Sequence, residues 1–231
     1  MERKAGAGQV RERLLAAADE LFYAEGIHAV GIDRVIAESR VAKSTMYVHF
    51  RTKEDLVAEY LRRRSDATRE RVTGEVEARA QEPAEERILA VFDVFHELLS
   101  EPGFRGCPFA NAAAEYPHHE GIQAAVAYDR AWLPALFSRL LEPLEADADG
   151  ELVTALVQLY DGAVAAAHLD HSKTSARTAR RVAGLLLAAR RSAMNGRSAA
   201  CGAPWPAPGT RGASDEGGSR TAARVPPVQG A

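Results

Sequence analysis

The segment VAKSTMYVHFRTKEDL, residues 41–56, combines aromatic, basic and hydroxyl side chains within one short stretch. Met46 and Phe50 lie four residues apart, so in a helix they share one face, and we expect that face to pack against the rest of the domain. The other face carries Lys43, Ser44, Thr45, Tyr47, Val48 and His49. The segment therefore predicts a helix that is buried on one side and available to a partner on the other.

The helices around this segment have the spacing of a helix-turn-helix. One short helix fits residues 32–39, the next fits residues 43–50, and RVAK joins them. A long helix starts at Lys53, with Thr52 as its N-cap and Asp55 completing an approximate capping box. Apolar residues at helical spacing also predict a first helix, which ends at Gly26.

Local charge favours a nucleic-acid partner. The 231-residue chain has a formal net charge of −3, so its overall charge does not attract DNA. Residues 39–53 nevertheless contain no carboxylate, while they include the basic side chains Arg40, Lys43, Arg51 and Lys53. A cationic, hydroxyl-rich surface is what a phosphate backbone requires, and double-stranded DNA is therefore the predicted partner.

The exposed side chains of the third helix suit different parts of the duplex. The hydroxyls of Ser44 and Thr45 are short enough to reach base edges in the major groove, and Val48 suits the methyl group of a thymine. The longer donors suit phosphate oxygens, and they are Lys43, Tyr47, His49 and Lys53.

Residues 31–57, GIDRVIAESRVAKSTMYVHFRTKEDLV, resemble the DNA-binding domain of the TetR family of transcriptional regulators. The most specific part of the resemblance is the pattern formed by Tyr47, His49, Phe50, Lys53 and Leu56. The resemblance implies a homodimeric repressor that binds a palindromic operator with its third helix and is released by a small-molecule inducer. It also implies that Arg34, on the second helix, contacts DNA.

Two residues depart from the pattern of that family. Gly31 stands where Thr or Ser commonly caps the second helix; Gly also caps helices but brings no hydroxyl for a phosphate. Arg40 stands where Gly usually ends the second helix. If the backbone there is left-handed, an Arg should cost about 1 kcal/mol.

The whole chain is predicted to be all-α. We assign residues 1–52 to the helix-turn-helix domain, residues 53–194 to a helical domain for ligand sensing and dimerisation, and residues 195–231 to a disordered tail rich in Gly, Pro, Ala and Ser. The two cysteines match neither a disulfide framework nor a zinc site, and we find neither a signal peptide nor a run that approaches a membrane span. A cytoplasmic protein without a membrane partner is therefore expected.

The helical domain contains enough aromatic residues to line a small-molecule pocket, although any one of them could equally belong to the core. The candidate ligand-binding residues are Phe95, His96, Phe104, Cys107, Phe109, Asn111, Tyr128, Trp132 and Tyr160. Small residues in DGAVAAAHL (161–169) and RVAGLLLAA (181–189) permit close helix packing, either within one chain or between subunits. We favour the dimer, because a single helix-turn-helix gives little affinity for DNA and a palindromic site needs two-fold symmetry.

Cys107 precedes Pro108, which places the thiol at the N-cap of the next predicted helix. The helix dipole and nearby Arg105 should lower its pKa and favour a reactive thiolate. An alternative function is therefore a repressor that senses electrophiles or oxidants through Cys107. The other interpretation is a small buried cysteine.

Other classes of function find less support in the sequence. An all-α cysteine enzyme would need a positioned base, and the chain has no P-loop, GxSxG or HExxH motif. A helical interaction module that does not bind DNA conflicts with the carboxylate-free basic segment. His168 and His171, and the PHHE run at 117–120, form no complete ligand set, so we expect neither a metal nor a cofactor.

Overall fold

The computed structural model describes residues 2–144 and 150–201, with side chains over 8–144 and 150–193. Within these ranges the chain is helical, without a β-strand, and the all-α prediction is confirmed. The α-helices are α1 (Glu2–Glu25), α2 (Ile32–Ser39), α3 (Lys43–His49), α4 (Lys53–Ala78), α5 (Ala84–Ser100), α6 (Pro108–Glu115), α7 (Glu120–Leu141), α8 (Glu151–Leu169) and α9 (Ser175–Cys201). A short 3-10 helix, Glu142–Leu144, follows α7.

The first hydrophobic core joins α1, α2 and α3 to the first turns of α4, to α6 and to the start of α7. Met46 is fully buried and Phe50 is 4% exposed, so the predicted inner face of α3 is confirmed. They pack in one cluster with Leu14, Val35 and Leu61. The predicted boundary after residue 52 coincides with the start of α4, but this core continues into that helix.

The start of α4 has the capping box that the sequence predicts. The Asp55 amide donates to the Thr52 hydroxyl over 3.0 Å, and the Thr52 amide donates to the Asp55 carboxylate over 3.2 Å. These bonds satisfy two of the amide groups that a helix N-terminus leaves without an intrahelical partner. They fix the point at which α3 ends and α4 begins.

The end of α2 is strained in the way that the sequence suggests. Arg40 has φ 54° and ψ 36°, which is the left-handed region. Its amide donates to the Ala37 carbonyl, and the Val41 amide donates to the Ile36 carbonyl, which is a Schellman motif. Gly31 caps the start of α2 in an extended conformation, without a side-chain hydrogen bond.

The second core lies in the helical domain and joins the last turns of α4 to α5, α7, α8 and α9. Phe92 and Phe137 stack at its centre, with ring centroids 6.0 Å apart. α7 is continuous from Glu120 to Leu141 although it contains Pro134. α9 continues past the predicted tail boundary as far as Cys201, and the remaining tail, residues 202–231, lies outside the described residues.

α8 corrects the expectation that no segment approaches a membrane span. By length and composition alone, α8 is long and apolar enough to cross a membrane, with a mean hydropathy of 1.3 over an 18-residue window. No other helix of the described ranges meets this criterion. Leu152, Leu156 and Val157 are nevertheless buried, because this side of α8 packs against α9 and α7. The same composition serves the core helix of a globular domain.

We predict that Arg40→Gly stabilises the protein by about 1 kcal/mol, because glycine adopts the left-handed conformation without a Cβ clash. The Arg40 side chain is exposed, so the change removes no packing. Denaturant unfolding followed by circular dichroism measures the effect. Arg40→Ala keeps the Cβ and should give no gain, so an equal gain in both variants would contradict the backbone explanation.

Candidate nucleic-acid interface and ligand cavity

Much of the outer face of α3 is exposed, and most of its polar side chains have no hydrogen-bond partner in the described part of the chain. Val48 is 80% exposed and Tyr47 is 45% exposed. The predicted base-contacting and phosphate-contacting residues Ser44, Thr45, Tyr47 and His49 make no side-chain hydrogen bond with the part of the chain that the structure describes. Ser44 and Tyr47 are exposed, and Thr45 and His49 are half-buried. This face therefore offers donors and one apolar group to an external partner.

Two of the predicted DNA-contacting cations are already paired with carboxylates from neighbouring helices. The Lys43 ammonium lies 2.7 Å from a carboxylate oxygen of Asp33, which raises the pKa of Lys43. Arg34 forms a two-point ion pair with Glu25 on α1. The carboxylate-free segment of the sequence is therefore not carboxylate-free in space, and both cations must exchange partners to contact a phosphate.

Lys53 has a structural role that the sequence did not indicate. Its ammonium donates to the Ile27 carbonyl over 2.6 Å and lies 5.8 Å from the centroid of the Phe22 ring. Partial burial lowers the pKa of Lys53. The bond holds the turn between α1 and α2, and a phosphate contact by Lys53 stays a prediction that requires this bond to open.

A cavity of about 770 Å³ lies where the two cores meet. Phe109 from the first core and Leu133 from the second both line it. The structure brings six of the nine predicted ligand-binding residues to its wall, namely Phe95, Phe104, Cys107, Phe109, Trp132 and Tyr160. Its volume and aromatic lining are typical of small-molecule sites.

The other three predicted residues lie elsewhere. His96 accepts a hydrogen bond from Arg177 of α9 over 3.0 Å, on the outer side of α5. Asn111 lines a separate cavity of about 270 Å³. Tyr128 is 39% exposed and donates to Asp66 on the surface of α4. Each belongs to the correct helix but points away from the cavity, which spacing along the sequence does not reveal.

Sequence analysis also missed the charged part of the wall, which α1, α4 and α7 supply. Arg64 donates to Asp19 over 2.6 Å, and its guanidinium stacks on the ring of Tyr23 at 3.8 Å from the centroid. Arg64 and Arg71 are seven residues apart on α4, so helical spacing places them on one face. Asp129, on α7, also lines the cavity.

The structure contradicts the prediction that Cys107 has a lowered pKa. It does cap α6, and its Sγ accepts a hydrogen bond from the Ala110 amide over 3.4 Å. Burial nevertheless raises the pKa of Cys107, and this outweighs the opposing effect of the amides. The side chain of Arg105, which was expected to lower the pKa, is exposed, and Arg130 is the cation that acts on the thiol.

The cavity wall and the DNA-binding domain are connected through α6. Cys107 and Phe109, at the start of α6, line the cavity. Glu115, at its end, accepts hydrogen bonds from the backbone amides of Ile27 over 3.0 Å and His28 over 2.5 Å. One short helix therefore contacts the cavity at one end and the α1–α2 turn at the other.

The loop before α6 is also held to the first domain. The Tyr23 hydroxyl donates to the Gly106 carbonyl over 3.0 Å and accepts from the Arg105 amide over 2.8 Å. Gly106 has φ 82°, and a Cβ there would come within 3.0 Å of the His168 ring.

Within the described residues, His, Cys, Asp and Glu side chains form no group of three that could hold a metal ion.

Both parts of the chain match described families. Residues 14–60 match "Bacterial regulatory proteins, tetR family", and residues 84–183 match "Tetracyclin repressor-like, C-terminal domain". A curated relative, the HTH-type transcriptional regulator LmrA of Bacillus subtilis (strain 168), is 29% identical over 109 residues. That match covers 47% of this chain and 57% of the relative, so the chain spans just over half the length of LmrA.

Solved structures extend the similarity across both domains. SCO4454, a TetR-family transcriptional regulator from Streptomyces coelicolor, is 36% identical, with a TM-score of 0.73 over 82% of this chain and 95% of that one. The reduced form of E. coli NemR, at 24% identity and a TM-score of 0.67, shares the fold over 77% of this chain and 97% of its own. The chain is therefore a DNA-binding helix-turn-helix protein rather than an enzyme, and it belongs to the TetR family of transcriptional regulators.

Proposed function

We propose that this protein is a homodimeric repressor of bacterial transcription that binds a palindromic operator through α3 and is released when a small molecule occupies the cavity. The observation that carries the proposal is the free outer face of α3, where Tyr47 and Val48 are exposed over a buried anchor formed by Met46 and Phe50. A regulator that binds chromosomal DNA acts in the cytoplasm, which is where we place it.

Release by a ligand is supported by the two ends of α6. A ligand that displaces Phe109 or Cys107 moves the helix whose end bonds the backbone of Ile27 and His28. The α1–α2 turn leads directly into α2, and α2 packs against α3. Occupation of the cavity would favour one arrangement of α6 over another, and the two recognition helices of a dimer would lose the spacing of about 34–36 Å that adjacent half-sites require.

Dimerisation is supported by the outer faces of α8 and α9. Leu169 is 73% exposed and Leu185 is 66% exposed. Gly162 and Ala165 are also exposed, and a Cβ added at Gly162 would meet no atom within 4 Å. Small residues beside exposed leucines permit close packing of helices from a second copy. A two-fold dimer matches the symmetry of a palindromic operator.

We predict that Tyr47→Ala weakens operator binding about tenfold or more, because it removes a donor to the phosphate backbone. A gel shift with DNA from upstream of the protein's own gene measures the affinity. Tyr128→Ala is a matched control, because Tyr128 has a similar exposure on the opposite domain. Equal affinities of the two variants would contradict the assignment of α3 as the recognition helix.

We predict that Leu185→Glu converts a dimer into a monomer, because it places a charge on the exposed face of α9 that we propose is buried between subunits. Sedimentation equilibrium measures the mass. Val48→Glu alters another exposed apolar residue, on the DNA-binding face, so it should leave the dimer intact while abolishing DNA binding. A dimer that survives Leu185→Glu would place the interface elsewhere.

The alternative is a repressor that responds to covalent modification of Cys107. The presence of this thiol in the cavity wall favours it, because a small electrophile that enters the cavity meets the sulfur. The raised pKa of Cys107 argues against this alternative, because the thiolate is the nucleophile and is scarce near neutral pH.

We predict that Cys107 reacts with iodoacetamide more slowly at pH 7 than an unstructured cysteine peptide does, and that its rate still rises at a pH where the peptide rate has levelled off. Burial shifts its ionisation upward, so the thiolate forms only at higher pH. Mass spectrometry of the Cys201→Ser variant isolates the signal of Cys107. A faster reaction than the peptide at pH 7 would restore the predicted low-pKa thiol and the sensor function.

A further inference from the structure

The charges that line the cavity are paired unevenly. Four arginines line it, and each already has a carboxylate partner. Arg64 bonds Asp19 over 2.6 Å, and the other three pairs are Arg63 with Glu12, Arg71 with Glu97 and Glu101, and Arg130 with Asp161. An anionic ligand would therefore have to displace a carboxylate that the protein itself supplies.

Asp129 is the inner carboxylate of the wall that has no such partner. It forms no ion pair with any side chain of the described ranges, whereas the neighbouring Arg130 is held by Asp161 over 2.6 and 2.9 Å. The indole Nε1 of Trp132 donates to Asp129 over 3.1 Å and orients it. Burial raises the pKa of Asp129, and this effect outweighs the opposing effects of the Ser65 and Trp132 donors and of the Arg130 and Arg69 charges. Glu20 also lacks an ion pair in the described structure, but it lies exposed at the rim.

Aromatic rings line the same cavity wall as this carboxylate. Trp132 and Tyr160 share the wall with Asp129, and the Tyr160 ring packs against Phe95 with centroids 4.1 Å apart. The Tyr160 hydroxyl makes no hydrogen bond with the described residues. Ring faces attract cations, and a hydroxyl with a free acceptor binds an N–H group. The charges of Arg130 and Arg69 act on Asp129 without forming an ion pair with it in the described structure, so the carboxylate and the aromatic wall together still favour a positive group over a negative one.

We propose that the cavity binds an aromatic organic cation, whose positive group lies against Asp129 and whose ring system lies among Trp132, Tyr160 and Phe95. The inference rests on the proposed ligand-responsive function and names the class of ligand. The cation supplies the ion-pair partner that Asp129 lacks within the described residues, and the four paired arginines leave an anion no equivalent position. A volume of about 770 Å³ accommodates a ligand with two or three fused rings.

Three naphthalene probes of similar size test the charge preference: 1-naphthylmethylamine, 1-naphthalenemethanol and 1-naphthoate. Calorimetry on the full chain at pH 7 should show that the amine binds at least about tenfold more tightly than the alcohol, and that the carboxylate binds most weakly. Asp129→Asn keeps an oxygen for the Trp132 indole and removes the charge, so it should abolish the preference for the amine while leaving the alcohol unaffected. Glu20→Gln removes the unpaired carboxylate at the rim and should leave the preference intact.

Equal or tighter binding of the alcohol or the carboxylate, an absence of amine binding, or a preference that survives Asp129→Asn would overturn the proposal. In the last case Asp129 only positions Trp132. A gel shift with operator DNA separates this result from the proposed function. If the amine binds through Asp129 but leaves the DNA complex intact, the cation site stands and ligand-induced release fails; if the operator is never bound, the repressor proposal itself fails.

Discussion

The shared helix α4 is the constraint on which the rest of the structure depends. Its first turns place Leu56, Val57 and Leu61 in the core of the DNA-binding domain, and its last turns place Val72 and Val76 in the core of the helical domain. A continuous 26-residue helix is about 39 Å long, so it connects the two cores directly. Three ion pairs add to the attachment of α1 to α4, and the most buried of them is Arg64 with Asp19.

The cavity is a consequence of this arrangement. Two cores that are joined by α4 and α7 leave a space where they meet, and α6 with its preceding loop closes that space. The closing segment is held to the DNA-binding domain by Glu115 at one end and by Tyr23 at the other, through hydrogen bonds to backbone groups of residues 27–28 and 105–106. Backbone bonds of this kind transmit a displacement more directly than flexible surface ion pairs do, because the atoms they join have little freedom of their own.

The DNA-binding surface shows how tertiary contacts alter the roles that residue types suggest. Lys53 and Lys43 are both lysines in a basic segment, yet Lys53 secures the α1–α2 turn while Lys43 remains at the surface beside Asp33. Cys107 has the predicted position at a helix N-terminus, but the desolvation of the thiol outweighs the helix amides. For Lys53 and for Cys107 the sequence indicated the correct position in the chain, whereas contacts from other helices and loops determined what the side chain does.

The sequence by itself determined the elements that depend on near neighbours along the chain. The two faces of α3, the Thr52–Asp55 capping box and the Cys107 cap all follow from spacings of one to four residues. Only the tertiary structure decided which side chains share the cavity, because Tyr23, Arg64, Asp129 and Tyr160 come from four helices whose relative rotation no local pattern encodes. It also decided the charge of that cavity, since an arginine contributes a free positive charge only where no carboxylate from another helix reaches it.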